Sequence, residues 1–387
     1  MNLKKMNAKG YIVNTIVTAA LFLVMCVIAA SPVGEGNFFR LIMAPSIWQC
    51  CYMVLLAASL NLVLGFMGQL SLGHCGFMAI GAYAAALISL AFERGGWFEE
   101  KEGIVYVLIV FFCIICAGLM AAAVGFLVGI PALRLKGDYL AIITLGFGMI
   151  IVNVINNLPF AGNNGLGQGT ASASLYKTGL GFSTKTKVAF LWIALLVTII
   201  CLAMMFMFVR SKYGRAIQAI RDDEIAASAS GINTSRYKIL TFTYSAFFAG
   251  IAGALYSCTN SSLSSSSFAF TNGGIINSIF IVVMVVLGGM GSLTGSAVAA
   301  VLMFFVNYQI KNGAWVSALP GFLQNIFGYP MMVYAVILIV VVIFRPRGIF
   351  GQYEFSLVNF RSDIRKAMKK RAEAKAEKAA EKIGMMR

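Results

Sequence analysis

Long apolar runs, each closed by a short polar connector, recur along almost the whole chain. A helix that crosses a bilayer takes ~20 predominantly apolar residues. Ten stretches meet that requirement: 11–30, 45–66, 70–92, 104–130, 139–158, 188–209, 238–257, 274–290, 292–310 and 329–345. The pattern predicts an all-α fold, a polytopic transmembrane helical bundle of about ten spans.

The connectors then set the orientation, because Lys and Arg accumulate in cytoplasmic loops. Lys4, Lys5 and Lys9 mark the N-terminus as inside. Arg134 and Lys136 of "RLKGD", the six basic residues of the 210–238 loop, and the segment from Arg345 then fall on the same side. The opposite side receives the acidic "ERGGWFEEKE", the Ser-rich "NSSLSSSSF" and the polar stretch 161–187, whose Lys177, Lys185 and Lys187 run against the rule. Ten spans with cytoplasmic N- and C-termini fit this distribution. Residues 1–345 read as one membrane domain, and 346–387 as a basic cytoplasmic tail. The tail's Ala, Glu and Lys content favours a solvated helix ending at Gly384. Its basic face either meets anionic lipid or only keeps the tail soluble.

Composition agrees. The chain has 387 residues, 60% hydrophobic and 11% charged, where a soluble domain carries about 25% charged residues. The net charge of +16 sits in blocks between apolar runs, which speaks for membrane orientation and against nucleic acid. The cysteines lie mostly inside apolar runs. "CIIC" (Cys113 to Cys116) has redox spacing but lacks the soluble βαβ context, so it reads as small apolar filling. The first run is long enough to span, and "SPVGEG" after it is a poor cleavage site.

What the runs lack narrows the function. No Asp, Glu, Lys or Arg lies in the interior of any of the ten stretches, with Asp138 at an edge. Intramembrane ionisable groups mark proton relays and ion pathways, so their absence argues against proton coupling and against carboxylate acid–base catalysis. No catalytic residue is expected. "GGMGSLTG" (Gly288 to Gly295) is glycine-rich but has no lysine to reach a phosphate. Active transport would therefore draw its energy from a partner. The single histidine, His74, has no second His or carboxylate nearby, so no metal site is expected. It reads instead as part of a glycine-loosened helix start in "GQLSLGHCGFMAIGAY", with Gln69 and Ser71 capping backbone groups and His74 one turn in.

Two further patterns bear on assembly. In the 210–238 loop, "GRAIQAIRDDEIAASASGI" predicts a short helix of small residues and mixed charge, ended by Gly231. It either docks on another protein or lies at the membrane interface. Gly125 with Gly129, and Gly250 with Ala254, permit close helix contacts at a dimer face or in the internal core. "GFMGQLSLG" and "GGMGSLTG" resemble each other and read as glycine-allowed chain reversals, with an internal repeat as the alternative.

The stretch "SKYGRAIQAIRDDEIAASASGINTSRYKILTFTYSAFFAGIAGALYS" resembles the corresponding segment of the branched-chain amino-acid ABC permeases of LivM type. "GQLSLGHCGFMAIGAY", "RLKGDYLAIITLGFG", "VVLGGMGSLTGSAVAA" and "FRPRGIFG" are similar to further motifs of that family, in family order across most of 60–351. "AGNNGLGQG" keeps only the glycines and Asn-Gly-Leu of the family's outer-loop stretch.

The resemblance implies a type II ABC importer-like permease in a bacterial or archaeal cell membrane, for branched-chain or similar apolar amino acids. It further implies a second permease subunit, as a heterodimer, and two cytoplasmic ATPases that bind ATP and Mg, with no cofactor in this chain. An extracytoplasmic amino-acid-binding protein would deliver the substrate. The coupling loop would present Arg215, Arg221, Asp222, Asp223, Glu224, Ala227 and Gly231 to the ATPases, with the charges pairing across that interface. A zwitterion crossing a dry path needs polar partners; Gln69, Ser71, His74, Thr144, Asn153, Asn156 and Asn157 are the candidates, the three asparagines on one helix face. Helix-to-helix hydrogen bonds are the other reading of those residues. The competing function is an autonomous sodium-coupled carrier of small amino acids or amides, since sodium can be held by backbone carbonyls at broken helices.

Overall fold

The computed structural model describes residues 38–94, 104–135, 137–158, 184–259, 278–312 and 330–345, with a few isolated positions such as 348 and 351. All lie in one compact unit, Ile28–Tyr353. The expected first span 11–30, most of the stretch 161–187 and nearly all of the tail 346–387 lie outside the described residues.

Every regular element among the described residues is helical. In chain order they are α1 (Phe38–Asn61), which runs into a π turn (Leu62–Phe66), then α2 (His74–Arg94), α3 (Ile104–Ala132) and α4 (Asp138–Asn157). There follow α5 (Thr184–Arg210), α6 (Lys212–Asp222), α7 (Glu224–Ala229) and α8 (Thr234–Thr259). The last are α9 (Ser278–Gly288), α10 (Leu293–Asn312) and α11 (Pro330–Phe344), whose proline stands at the first helical position, where its missing N–H costs nothing.

Nine of the ten apolar stretches thus carry a helix. Six helices are long and apolar enough to cross a membrane: Gln49–Phe66, His74–Phe92, Val107–Ala132, Tyr139–Asn157, Ile193–Arg210 and Thr234–Cys258. The stretches at 274–290, 292–310 and 329–345 hold shorter apolar helices, Ser278–Gly288, Leu293–Asn307 and Met332–Val341. In α9 the physical stop is Gly288-Gly289. At 1.5 Å per residue its 11 residues reach about half of a ~30 Å hydrocarbon core.

Helices α1 and α8 form the middle of the bundle. Helix α8 packs on α1, α2 and α3, and α1 also packs on α5, α9 and α10. In lipid, apolar surface alone gives helices no reason to associate, so close approach of small residues does it. A Cβ on Gly81 would meet the Gly250 backbone, and one on Gly253 would meet Met78 O. Gly125 abuts Ala246, and Gly250 abuts Ala117, Gly118 and Ala121. The small-residue pairs therefore serve the internal α2–α3–α8 core, not a dimer face. Among the described residues α3 and α4 expose large apolar side chains, Leu108, Phe112, Ile115 and Leu119 on one and Tyr139, Ile142, Ile150 and Val154 on the other.

The seven described cysteines are free thiols, and Cys113 is buried in α3 with Cys116 one turn on, as apolar filling requires. Among the described residues one charged residue is buried against expectation: Lys238, about one turn from the start of α8. It is tolerated because it meets Glu224, as described below.

Candidate functional site: a glycine-rich junction and the loop that plugs into it

The loop after α5 is two helices, not the single one its sequence suggests. Ser211 caps α6 by accepting from the N–H groups of Tyr213 and Gly214. Helix α6 buries Gly214, Ala216, Ile217 and Ile220 on one face. At Asp223 the backbone turns extended, and the Asp223 carboxylate caps α7, with Oδ1 accepting from Ile225 N (2.8 Å) and Ala226 N (3.0 Å). An acidic N-cap is the better fit to the positive end of a helix, so the break sits where the chain has its aspartates. Helix α7 ends at Gly231, φ 83°, with Ile232 N donating to Ala227 O and Gly231 N to Ser228 O. That is the Schellman pattern that glycine permits. Asn233 then caps α8 by accepting from Arg236 N at 3.1 Å.

Several of the loop charges make contacts within the chain. Arg221 turns inward and donates from Nη1 to the Gly65 carbonyl at 2.6 Å. Glu224 Oε1 receives Lys238 Nζ at 2.6 Å, with the lysine side chain 4% exposed. Asp223 is the cap just described. Asp222 lies 3.6 Å from Arg221 Nε but is itself 74% exposed. Arg215 is exposed and donates to Arg210 O at 3.3 Å. Ala227 is buried, so the exposed side of α7 is made by Ile225, Ala226, Ser228 and Ala229.

Arg221 reaches a junction where separated parts of the sequence meet. At the end of α1 the chain widens into the π turn, with Met67 N donating to Leu62 O (3.2 Å) and Gln69 N to Val63 O (3.1 Å). In a regular helix Gln69 N would have bonded Gly65 O. The Gly65 carbonyl is left open, and Arg221 takes it. Gly68, φ 73°, lies flat against the arginine stem, where an added Cβ would come within 2.5 Å of Cγ. Gly291, φ 90°, closes the far side, 3.3 Å from Nη1 by the same measure.

The two glycine turns that resemble each other in sequence are joined by Asn61. Its Nδ2 donates to Ser292 O (2.8 Å) and Ser296 Oγ (3.3 Å), and its Oδ1 accepts from Gly291 N (3.0 Å). Gly289 in turn packs on Gly348 and Gly351 of "FRPRGIFG", backbone on backbone.

The seven path candidates do not come together as one set. His74, 2% exposed, is the first residue of α2, not one turn in. Its Nε2 lies 2.7 Å from Ser59 Oγ, and Ser59 Oγ also lies 3.0 Å from Leu56 O. Thr144 is also spent, donating to Ala141 O (3.0 Å) and accepting from Leu72 N (3.1 Å). Thr144, and Ser278 by accepting from Cys75 N (3.4 Å), supply the caps expected of Gln69 and Ser71. Those two instead bury Gln69 Oε1 and Ser71 Oγ without a hydrogen-bond partner. Asn153, Asn156 and Asn157 share one face as expected, but it is the exposed face of α4, where Asn157 Nδ2 donates to Asn153 O at 2.8 Å.

Among the described residues no three of His, Cys, Asp and Glu gather as a metal site. Sequence reasoning missed Asn61, Ser59, Ile225 and the partnership of Lys238. An Asn inside "LAASLNLVLGF" is a signal of its kind, since polar residues inside spans bind other helices.

The sequence family described as the permease component of the branched-chain amino acid transport system matches residues 42–345. The high-affinity branched-chain amino acid transport system permease protein LivM of Escherichia coli K12 is 36% identical over 316 residues, 76% of this chain and 67% of that protein. LivM of Salmonella typhimurium LT2 is 35% identical over 319 residues, with the same coverage. The permease protein LivH of E. coli K12 is 25% identical over 329 residues, 79% of this chain and 92% of LivH. No solved structure is significantly similar. Apolar helices of spanning length, the motifs gathered at the glycine-rich junction and these relatives lead to one assignment: the chain is a multi-pass membrane protein of the branched-chain amino-acid transport permease family, of LivM type.

Proposed function

We propose that this chain is a permease subunit of an ATP-driven importer of branched-chain or similar apolar amino acids in a bacterial or archaeal inner membrane. It works with a second permease of LivH kind, two cytoplasmic ATPases that bind ATP and Mg, and an external binding protein. The basic connectors, the glycine junction and the α6–α7 loop lie on the cytoplasmic side, with the tail 346–387. The observation that carries the reading is Ile225, 80% exposed on a capped helix. A large aliphatic residue on a polar loop, ringed by Ala226, Ser228 and Ala229, is the shape of an anchor for a groove on another protein. Arg215 and Asp222 flank it as rim charges that set register more than affinity. On the substrate path, Gln69 and Ser71 keep buried polar atoms open to a passing zwitterion, whereas His74 and Thr144 hold helices together.

The test is reconstitution in liposomes with leucine as the probe. Uptake should need ATP inside, the binding protein outside and all partner subunits. Uptake by this chain alone, driven by a sodium gradient, would replace the proposal with the autonomous carrier.

A further inference from the structure

From the geometry of Arg221 we infer a role distinct from docking: it is the positioning residue that transmits movement of the α6–α7 loop to the glycine junction and the start of α2. The inference rests on the importer reading above, and its test separates the two.

Four observations lead here. First, the guanidinium is the external cap of α1, bonded at 2.6 Å to a carbonyl 156 residues earlier. The π turn has stripped that carbonyl of its helical partner, and π bulges inside α-helices recur at functional sites. Second, the socket is made of three glycines, Gly65, Gly68 and Gly291, which belong to two different chain reversals. No Cβ intervenes, so any displacement of the arginine is felt by backbone. Third, among the described residues the one carboxylate within 4.0 Å of Arg221 is Asp222, which stands outside the socket at 74% exposure. Inside the socket the guanidinium donates to main-chain oxygen, and withdrawing it would leave the Gly65 carbonyl unmet. Fourth, three residues beyond Gly65 the chain turns at Gly68 into Gln69 and Ser71, the two path candidates with unpaired buried oxygens.

The opposite tether has a different destination. Glu224, in the next helix, is bonded to Lys238 of α8. Pulling on α7 therefore loads α8 through Glu224 and the α1–α2 turn through Arg221, on either side of the break at Asp223. Arg221 touches no transported molecule; it acts through Gly65.

The experiment uses the complete transporter in liposomes with leucine as the probe, and compares Arg221→Lys, Gly68→Ala and Gly146→Ala. Lysine keeps the charge and stem but loses the planar fork; the Cβ of Gly68→Ala presses the arginine from its other side. For both socket variants, ATPase co-purification and ATP hydrolysis should stay near wild type, while leucine moved per ATP falls roughly tenfold. Gly146→Ala, in α4 with nothing within 4 Å of the added Cβ, should keep the wild-type ratio. An unchanged ratio in Arg221→Lys and Gly68→Ala would overturn the inference. So would loss of ATPase co-purification in Arg221→Lys, which would make Arg221 a docking charge and leave the importer reading standing. Failure of the wild-type complex to import leucine with ATP would instead remove the importer reading itself.

Discussion

Helices α6 and α7 are adjacent, short and built from similar small residues, yet they invert the usual arrangement in opposite ways. Helix α6 sends a charge, Arg221, inward to a main-chain oxygen. Helix α7 leaves an aliphatic residue, Ile225, 80% exposed. The difference lies in what faces each of them. Helix α6 faces three glycines and an open carbonyl, a place that only a long, thin donor can fill. Helix α7 is fixed by its Asp223 cap and its Glu224 tie to α8, and among the described residues nothing covers its Ile225 side. Charge and hydropathy taken residue by residue would assign both residues the wrong way.

The comparison breaks most severely at Gly65. Gly65→Val should abolish accumulation of the chain in membranes, because even its Cβ would run into the Asn61 amide and the Gly291 backbone. Membrane-fraction immunoblots read this, and normal accumulation would show that the inward half does not need the glycine socket. On the outward half, Ile225→Asp should leave accumulation intact and weaken ATPase co-purification. Losing an anchor is worth on the order of 2 kcal/mol, roughly 30-fold in affinity, measured by titrating purified ATPase onto the permease pair.

The tether between the halves sharpens the contrast. Glu224→Gln removes the partner of a buried lysine and should cost about 3 kcal/mol, seen as a lower unfolding temperature of the purified complex. Adding Lys238→Met in the same chain should recover most of that loss, a coupling that a double-mutant cycle isolates. The smallest effect belongs to a glycine outside the junction. Gly146 in α4 has nothing within 4 Å of an added Cβ. Gly146→Ala should therefore be neutral or stabilising by up to ~1 kcal/mol in the same unfolding assay, which sets the junction glycines apart from glycine as such.

Much of this was legible beforehand for local reasons. Runs of apolar residues predicted the other helices to within about four residues at each end, save that α1 begins seven residues before its run, while α6 and α7 were read from the loop pattern as a single helix. Gly231 was readable as a helix stop, because only a residue without Cβ sits easily at φ 83°. The break at Asp223 was not, since a continuous helix and two capped ones share the same small, mixed-charge residues. Among the path candidates, residue type suggested polarity but not its use. His74 and Thr144 proved to be occupied by Ser59 and Leu72, and the three asparagines to face away from the bundle.

The sequence by itself determined a helical membrane protein with almost no charge in its apolar runs, a patterned polar loop and the motifs of its family. These follow from periodicity, length and composition, which act over a few turns of chain. The tertiary structure alone decided that Arg221 faces Gly65 and that Asn61 joins two glycine turns. It alone decided that the small-residue pairs close the internal core and that Ile225 is left outside. Those contacts link positions 156 and 230 residues apart. Their energy depends on backbone atoms meeting without an intervening side chain, a condition that no local window of sequence contains.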